Sequence, residues 1–318
     1  MTGGTLAPHV RALVVTNMYP TPARPALGSF VRDQVEALRR IDGVQVELFA
    51  FAPGGAGSYV TAAAELRRRH RTQRYDVVHA HFGLTAWPAF MAAGQAHAVT
   101  LHGTDLVHPR SRAVTLAALP FLDLVATVSE SLATQVPGWA MRGQRAVLPC
   151  GVDIERFRPI PRAEARAALN LRPAGRYVLF PADPQRPEKR HDRALAAVAG
   201  TGAELISLGN VGPATVPLYV NAANAVLVPS ERESFGLAVL EAVACDVPVL
   251  ATPVGIAPTA LEHLPGTLCA PFDAAIWRAA LEPHINDPDP RIDGRARAEP
   301  YSTDRMAAQV LAAWRSLR

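Results

Sequence analysis

The chain has 318 residues, 49% of them apolar and 19% charged, with a net charge of +4 at neutral pH. That length suits two domains, each burying its own core, and the balance is that of a folded globular protein, which sets aside a disordered chain. No apolar run approaches the roughly 20 residues that span a bilayer, and residues 1–20 lack the ordered segments of an export signal. Cys150, Cys245 and Cys269 are odd in number and without metal-type spacing, so a cytoplasmic protein with free thiols is expected.

Short β-branched runs in the first half predict strands over Val10–Thr16, Val44–Ala50, Val77–Ala80, Ala98–Leu101, Leu124–Thr127 and Ala146–Leu148. Amphipathic stretches predict helices over Ser29–Arg40, Ala62–Arg71, Thr85–Ala93, Arg112–Leu119 and Glu130–Gln135, with the Gly-rich residues 54–57 as a loop. Pro149, Pro159, Pro161 and Pro173 punctuate a boundary, taken as residues 1–160 and 161–303, with a short linker helix over Ala163–Leu169. The second half predicts strands over Tyr177–Pro181, Glu204–Leu208, Ala225–Val228, Val247–Ala251 and Thr267–Cys269. Its helices are expected over His191–Ala199, Pro217–Ala222, Leu237–Ala244, Ala257–Leu264 and Ala274–Leu281. Residues 283–290 read as a Pro- and Asp-rich loop, and a final helix over residues 304–318 is expected to return to the first domain. The pattern is α/β: two Rossmann-like, doubly wound parallel sheets, whose ligand-binding C-terminal ends would face a cleft.

Arg67, Arg68, Arg69, His70, Arg71 and Arg74 form one dense basic run. It reads as a solvated helix face, or as a patch drawn to anionic lipid or an anionic acceptor. No aromatic interleaving accompanies it, so nucleic acid is not an expected partner. Lys189 is the one lysine among 32 basic residues. A guanidinium does not replace a compact ammonium in a tight site, which makes Lys189 a pointer.

The segment from Pro229 to Val249 carries the most chemistry. A buried strand ends at Val228, a polar loop follows, and a helix begins near Phe235 or Gly236. Gly236 lets backbone approach a ligand closely, and the free N–H groups of Phe235, Gly236 and Leu237 at the positive helix end suit a diphosphate. Eight residues at roughly 100° each bring Glu241 within about 80° of the direction of Glu233, so one carboxylate reaches a sugar at the helix tip and the other a ribose. The plainer alternative makes Glu233 a cap and Glu241 a surface residue.

This segment resembles the acidic signature of family 4 glycosyltransferases. Further matching pieces follow in family order: residues 27–30 (Leu-Gly-Ser-Phe), 75–83 (Tyr-Asp-Val-Val-His-Ala-His-Phe-Gly) and 99–105 (Val-Thr-Leu-His-Gly-Thr-Asp). Residues 127–130, 151–159, 187–190 and 254–255 complete a match that covers nearly the whole chain. The resemblance implies the GT-B fold and a retaining, metal-independent transfer from a nucleotide-diphosphate sugar, which is a co-substrate, with no cofactor. The first domain would take the acceptor and the second the donor.

By the same resemblance, Gly28 would lie against the donor diphosphate, His102 beside the transferring sugar, Lys189 on the leaving diphosphate, Glu233 near the anomeric centre and Glu241 on the ribose. His79 and His81, at a strand end, and Asp105 are expected on the acceptor side. A histidine pair at i, i+2 also fits a metal, but no third ligand is evident. Asp183 stands where relatives carry arginine, and Arg186 is the candidate replacement cation. The segment from Gly209 to Pro217 is short, as in relatives that build polysaccharides, which leaves the base unnamed. Asp287-Pro-Asp289 mimics a metal-binding motif but reads as a solvated loop. The acceptor stays open between a glycan, a lipid-linked sugar and a small molecule, with peripheral membrane contact at the inner face. An impaired partner of another transferase, or a sugar-nucleotide epimerase or hydrolase, are the alternatives.

Overall fold

The computed structural model describes residues 9–317. They form two compact units: residues 9–21, Leu27–Gly151 and 303–317 in the first, Pro22–Ala26 and Val152–Ser302 in the second. The break therefore comes at Gly151, at the start of the proline-punctuated stretch and nine residues before the boundary taken at residue 160. In the first unit a Cβ at Gly151 would sit 2.8 Å from the Thr303 backbone, and its N–H reaches Met306 Sδ at 3.1 Å. In the second, the Val152 N–H donates to the Tyr301 carbonyl at 2.8 Å. Packing, not proline content, sets where the chain changes core.

The first unit's strands are β1 (Val10–Thr16), β2 (Val44–Ala50), β3 (Tyr75–His81), β4 (Gly94–Leu101), β5 (Leu124–Thr127) and β6 (Gln144–Val147). All pair in parallel, in the order β2-β1-β3-β4-β5-β6. Both faces of the sheet are covered, so β1 shows no alternation of buried and exposed residues and is buried almost throughout. The helix Ser29–Arg39 contributes Val31, Val35 and Leu38 to this core, and the helix Thr303–Arg315 contributes Met306, Val310, Leu311 and Trp314.

The second unit holds β7 (Tyr177–Phe180), β8 (Glu204–Ser207), β9 (Ala225–Val228), β10 (Val249–Ala251) and β11 (Leu268–Cys269), in the order β11-β10-β9-β7-β8. The helix Ala274–Asn286 runs on past the predicted end at Leu281, through Pro283. Trp277, Leu281 and Ile285 recur every fourth residue and are buried in the core, which outweighs the roughly 3 kcal/mol that an interior proline costs. Other expectations change as well, the helices expected over Ala257–Leu264 and Glu130–Gln135 being single turns, Ala257–Ala260 and Glu130–Ala133. Gly55 is the N-cap of a helix Ala56–His70, so residues 54–57 are not wholly loop. The helix expected over Thr85–Ala93 is a 3₁₀ turn, Gly83–Thr85, followed by one α turn, Ala86–Ala89.

Candidate functional site

Both sheets are doubly wound, and strand order reverses between β1 and β3 in the first unit and between β7 and β9 in the second. The crevice beyond the C-terminal strand ends at such a reversal is where open parallel sheets bind ligands. The loops leaving β7 and β9 meet at the second unit's reversal, joined where the Glu231 N–H donates to the Glu188 carbonyl at 2.9 Å. Lys189 closes the 3₁₀ turn Pro187–Lys189, and the left-handed Arg190 then turns the chain into the helix His191–Val198.

From there the Lys189 ammonium donates to both carboxylate oxygens of Glu233, at 2.6 and 2.7 Å. The pair is mostly sequestered, the two side chains being 16% and 10% exposed. Ser230 Oγ donates to the same carboxylate at 2.7 Å, and Thr252 Oγ1 fixes Ser230 through its carbonyl. Gly255, with φ 59°, lets the next loop close on this turn: a Cβ there would fall 2.4 Å from the Phe235 carbonyl oxygen. Ser230 and Thr252 were not singled out from sequence, because a lone hydroxyl in a loop carries no periodic or motif signal.

Gly236, at φ 97°, caps the helix Leu237–Ala244. Among the described residues, nothing accepts a hydrogen bond from the main-chain N–H groups of Phe235, Gly236 or Leu237, the ordinary condition of a helix start and a ready anion cradle. The Phe235 ring is buried against Tyr301 and its carbonyl accepts from the Ile256 N–H at 2.7 Å, which anchors the turn. Glu241 lies half-buried on this helix. Arg186 is committed elsewhere, its guanidinium held by Glu188 at 2.6 Å on an exposed surface, so it does not stand in as a free cation. Asp183 spends its carboxylate on the Gln185 N–H at 2.9 Å, building the turn ahead of Pro187. Asp289 is more than a solvated loop residue: it pairs with the deeply buried Arg162 at 3.1 Å and with Arg291 at 2.9 Å. No group of three or more His, Cys, Asp or Glu among the described residues could hold a metal ion.

In the first unit, Gly28 caps the helix Ser29–Arg39 with φ 63°, and a Cβ there would lie 2.2 Å from the Met18 carbonyl oxygen. That close approach alone requires glycine. His102 follows β4, its ring half-buried and 4.8 Å from that of Phe30. Asp105 does not line an acceptor surface. It is fully buried, and its carboxylate accepts the N–H groups of Gly103, His102 and Gly83 at 2.7, 3.0 and 3.2 Å, fixing the backbone that presents His102. Burial raises its pKa against the lowering effect of those bonds.

His79 and His81 are likewise interior. They share one face of β3, by the two-residue strand period, and neither has exposed surface. His79 Nδ1 accepts from Trp314 Nε1 at 2.9 Å, and its Nε2 meets Thr100 Oγ1 at 2.8 Å. His81 meets Gln34 Nε2 at 3.1 Å and His102 Nε2 at 3.0 Å. Desolvation pushes His79 and His102 down to about 3 and His81 well below its ordinary value, so all three rings are neutral near pH 7.

Sequence and fold comparisons identify the family and the fold. The family described as "Glycosyltransferase Family 4" matches residues 14–156, and "Glycosyl transferases group 1" matches residues 161–302. A D-inositol 3-phosphate glycosyltransferase of Actinosynnema mirum is 30% identical over 84% of this chain and 78% of its own. One of the same name from Segniliparus rotundus is 27% identical over 98% and 90%. Among solved structures, sucrose-phosphate synthase from Thermosynechococcus elongatus is similar with a TM-score of 0.75 at 21% identity, covering 96% of this chain and 99% of that one. Anabaena Alr3699/HepE in complex with UDP-glucose is similar with a TM-score of 0.70 at 19% identity, covering 97% and 100%. The fold is that of GT-B glycosyltransferases, and the chain belongs to glycosyltransferase family 4, an enzyme that transfers glycosyl groups.

Proposed function

We propose that the second unit binds a nucleotide-diphosphate sugar and that the enzyme transfers the sugar with retention, without a metal, to an acceptor hydroxyl. The observation that carries this is the Lys189–Glu233 pair, held at the strand-order reversal beside the unpartnered N–H groups of the helix Leu237–Ala244. A lysine and a helix N-terminus can share the charge that grows on a departing diphosphate, which is the task a metal performs in other transferases. On this reading the diphosphate takes Lys189 from Glu233, which leaves the carboxylate beside the sugar. Glu241 serves the ribose, and His102 the transferring sugar. The complexes of the Anabaena protein with UDP and UDP-glucose support a donor of this class.

Calorimetry of the full chain against UDP-, GDP- and ADP-glucose tests the donor site. Binding of one donor that is lost in Lys189→Ala is expected. A folded protein that binds none of them refutes the reading. Acceptors are then screened among glycans, lipid-linked sugars and small polyols, including the D-inositol 3-phosphate named for the relatives.

Contact with an anionic lipid surface is part of the proposal. Phe121 (66% exposed) and Trp139 (81%) stand near the N-terminal ends of β5 and β6. Arg71 and Arg74 precede β3, and Arg142 and Arg145 lie at the start of β6, all exposed. Exposed aromatics and arginines at the same end of one sheet suit a lipid interface. Sedimentation with anionic vesicles, absent with neutral ones and lost in Trp139→Ser with Phe121→Ser, is expected; equal sedimentation with both vesicle types opposes it.

A further inference from the structure

We infer that Gln34 and His81 are positioning residues that hold His102 in the neutral form with its proton on Nδ1, so that His102 meets the sugar as a hydrogen-bond donor and not as a base. The inference rests on the reading above that His102 contacts the transferring sugar; the state of the ring itself is tested independently of it.

The hydrogen bonds run inward from the Gln34 amide. Gln34 is a buried residue of the helix that follows β1, and its carboxamide nitrogen lies 3.1 Å from His81 Nε2. An amide nitrogen donates and does not accept, so His81 Nε2 must be the bare nitrogen of that ring. A neutral imidazole carries one proton, which then sits on His81 Nδ1. That nitrogen is 3.0 Å from His102 Nε2 and donates to it. His102 Nε2 is therefore bare as well, and its proton lies on Nδ1. Among the described residues no partner accepts from His102 Nδ1.

Three supports keep the ring from escaping this assignment. Asp105 accepts the His102 main-chain N–H at 3.0 Å and fixes the backbone. The ring lies against Phe30 on one side and stacks on His81 at 5.3 Å with a 23° interplanar angle. Desolvation keeps all three histidines neutral, so the chain is not broken by a second proton on any of them. His79 shows the same logic with the opposite result. Its Nδ1 accepts from Trp314 Nε1, a group that only donates, so its proton lies on Nε2 toward Thr100 Oγ1. Two imidazoles stacked 4.9 Å apart are thus set in opposite tautomers by their outer partners.

A ring fixed in this way offers an N–H to a hydroxyl or ring oxygen of the sugar. It has no lone pair on that side with which to take a proton from the acceptor. A change at Gln34 or His81, which need not touch substrate, should then act on turnover through His102.

The experiment uses the unmodified full chain with nitrogen-15 in its histidines. Long-range proton–nitrogen correlation distinguishes protonated from bare ring nitrogens, and His102→Asn identifies the His102 signals. A proton on Nδ1 of His102 and His81, and on Nε2 of His79, is expected with no donor present. A proton on Nε2 of His102 overturns the inference. For function, His81→Asn keeps an N–H near the Nδ1 position, whereas His81→Leu does not. Turnover should fall about tenfold in His81→Leu and stay near wild type in His81→Asn, with nucleotide diphosphate affinity unchanged in both, since one lost positioning hydrogen bond is of that size. Equal turnover in the two variants overturns the positioning role. If His102→Ala leaves turnover intact, the reading that His102 meets the sugar fails, while the tautomer result stands on the spectrum alone.

Discussion

Acidification should unfold the first unit through its buried histidines. His79 and His81 have no exposed surface, and burial holds His79 at about 3 and His81 well below its ordinary 6.5. In the unfolded chain both ionise near 6.5. The folded values lie below the unfolded ones, so their contribution is complete above pH ~6.5 and is lost as pH falls from there toward about 3. For one such ring the loss between pH 8 and pH 5 is about 2 kcal/mol, with the slope rising from near zero at pH 8 to about 1.4 kcal/mol per pH unit below pH ~5.5. Against a total stability of about 5–15 kcal/mol, two rings matter. The assay is urea unfolding followed by tryptophan fluorescence from pH 8 to pH 4.5, comparing the unmodified chain with His79→Gln. Trp314 reports on the event directly, because its Nε1 donates to His79 Nδ1 and a protonated ring can no longer accept. The variant will be less stable at pH 8, since a packed ring and its bonds are lost, but below pH ~5.5 its slope should be shallower by about 1.4 kcal/mol per pH unit. Parallel slopes for the two proteins would show that His79 is not held neutral by the fold, and the reasoning would fall.

Glu233→Gln should tighten nucleotide diphosphate binding about tenfold while slowing transfer, because it releases the Lys189 charge and removes the carboxylate near the sugar; calorimetry and turnover separate the two effects. Glu241→Ala should raise the donor KM with little change in kcat, as a ribose contact is made equally in ground and transition states; a collapse of kcat at unchanged affinity would contradict that role. Gly255→Ala places a methyl 2.4 Å from the Phe235 carbonyl at φ 59°. It should destabilise the second unit by about 2 kcal/mol or more in denaturant melts and weaken donor binding with it.

Much of this molecule was legible in its residues. The alternation of β-branched runs with amphipathic stretches located every strand, and β1, β2, β5 and β9 match the predicted bounds. Strand signals are local, so they survive without knowledge of the partner. The residues proposed for the donor side stood out for a related reason: Glu233, Phe235, Gly236 and Leu237 fall within one strand–helix turn, and Lys189 is the one lysine. The helix Ala274–Asn286 was cut short because a proline outweighs an apolar stripe in sequence, whereas in the core the stripe prevails. Arg186 was chosen as a cation by its position three residues before Lys189, but its neighbour Glu188 takes the charge first.

What the sequence determined by itself was therefore the alternating α/β pattern and the motif-bearing turns, each a matter of neighbours within a dozen residues. Tertiary structure alone decided what those residues face. His79 and His81 look like surface groups at a strand end, yet the helix Thr303–Arg315, more than 200 residues later, covers one through Trp314, and Gln34 covers the other. Asp105 became an anchor for a backbone turn, and Lys189 found Glu233 forty-four residues away, because strand order reverses between β7 and β9 and brings their two loops together. Sheet order is fixed by which cores can close, a sum over distant contacts that no local run of residues contains.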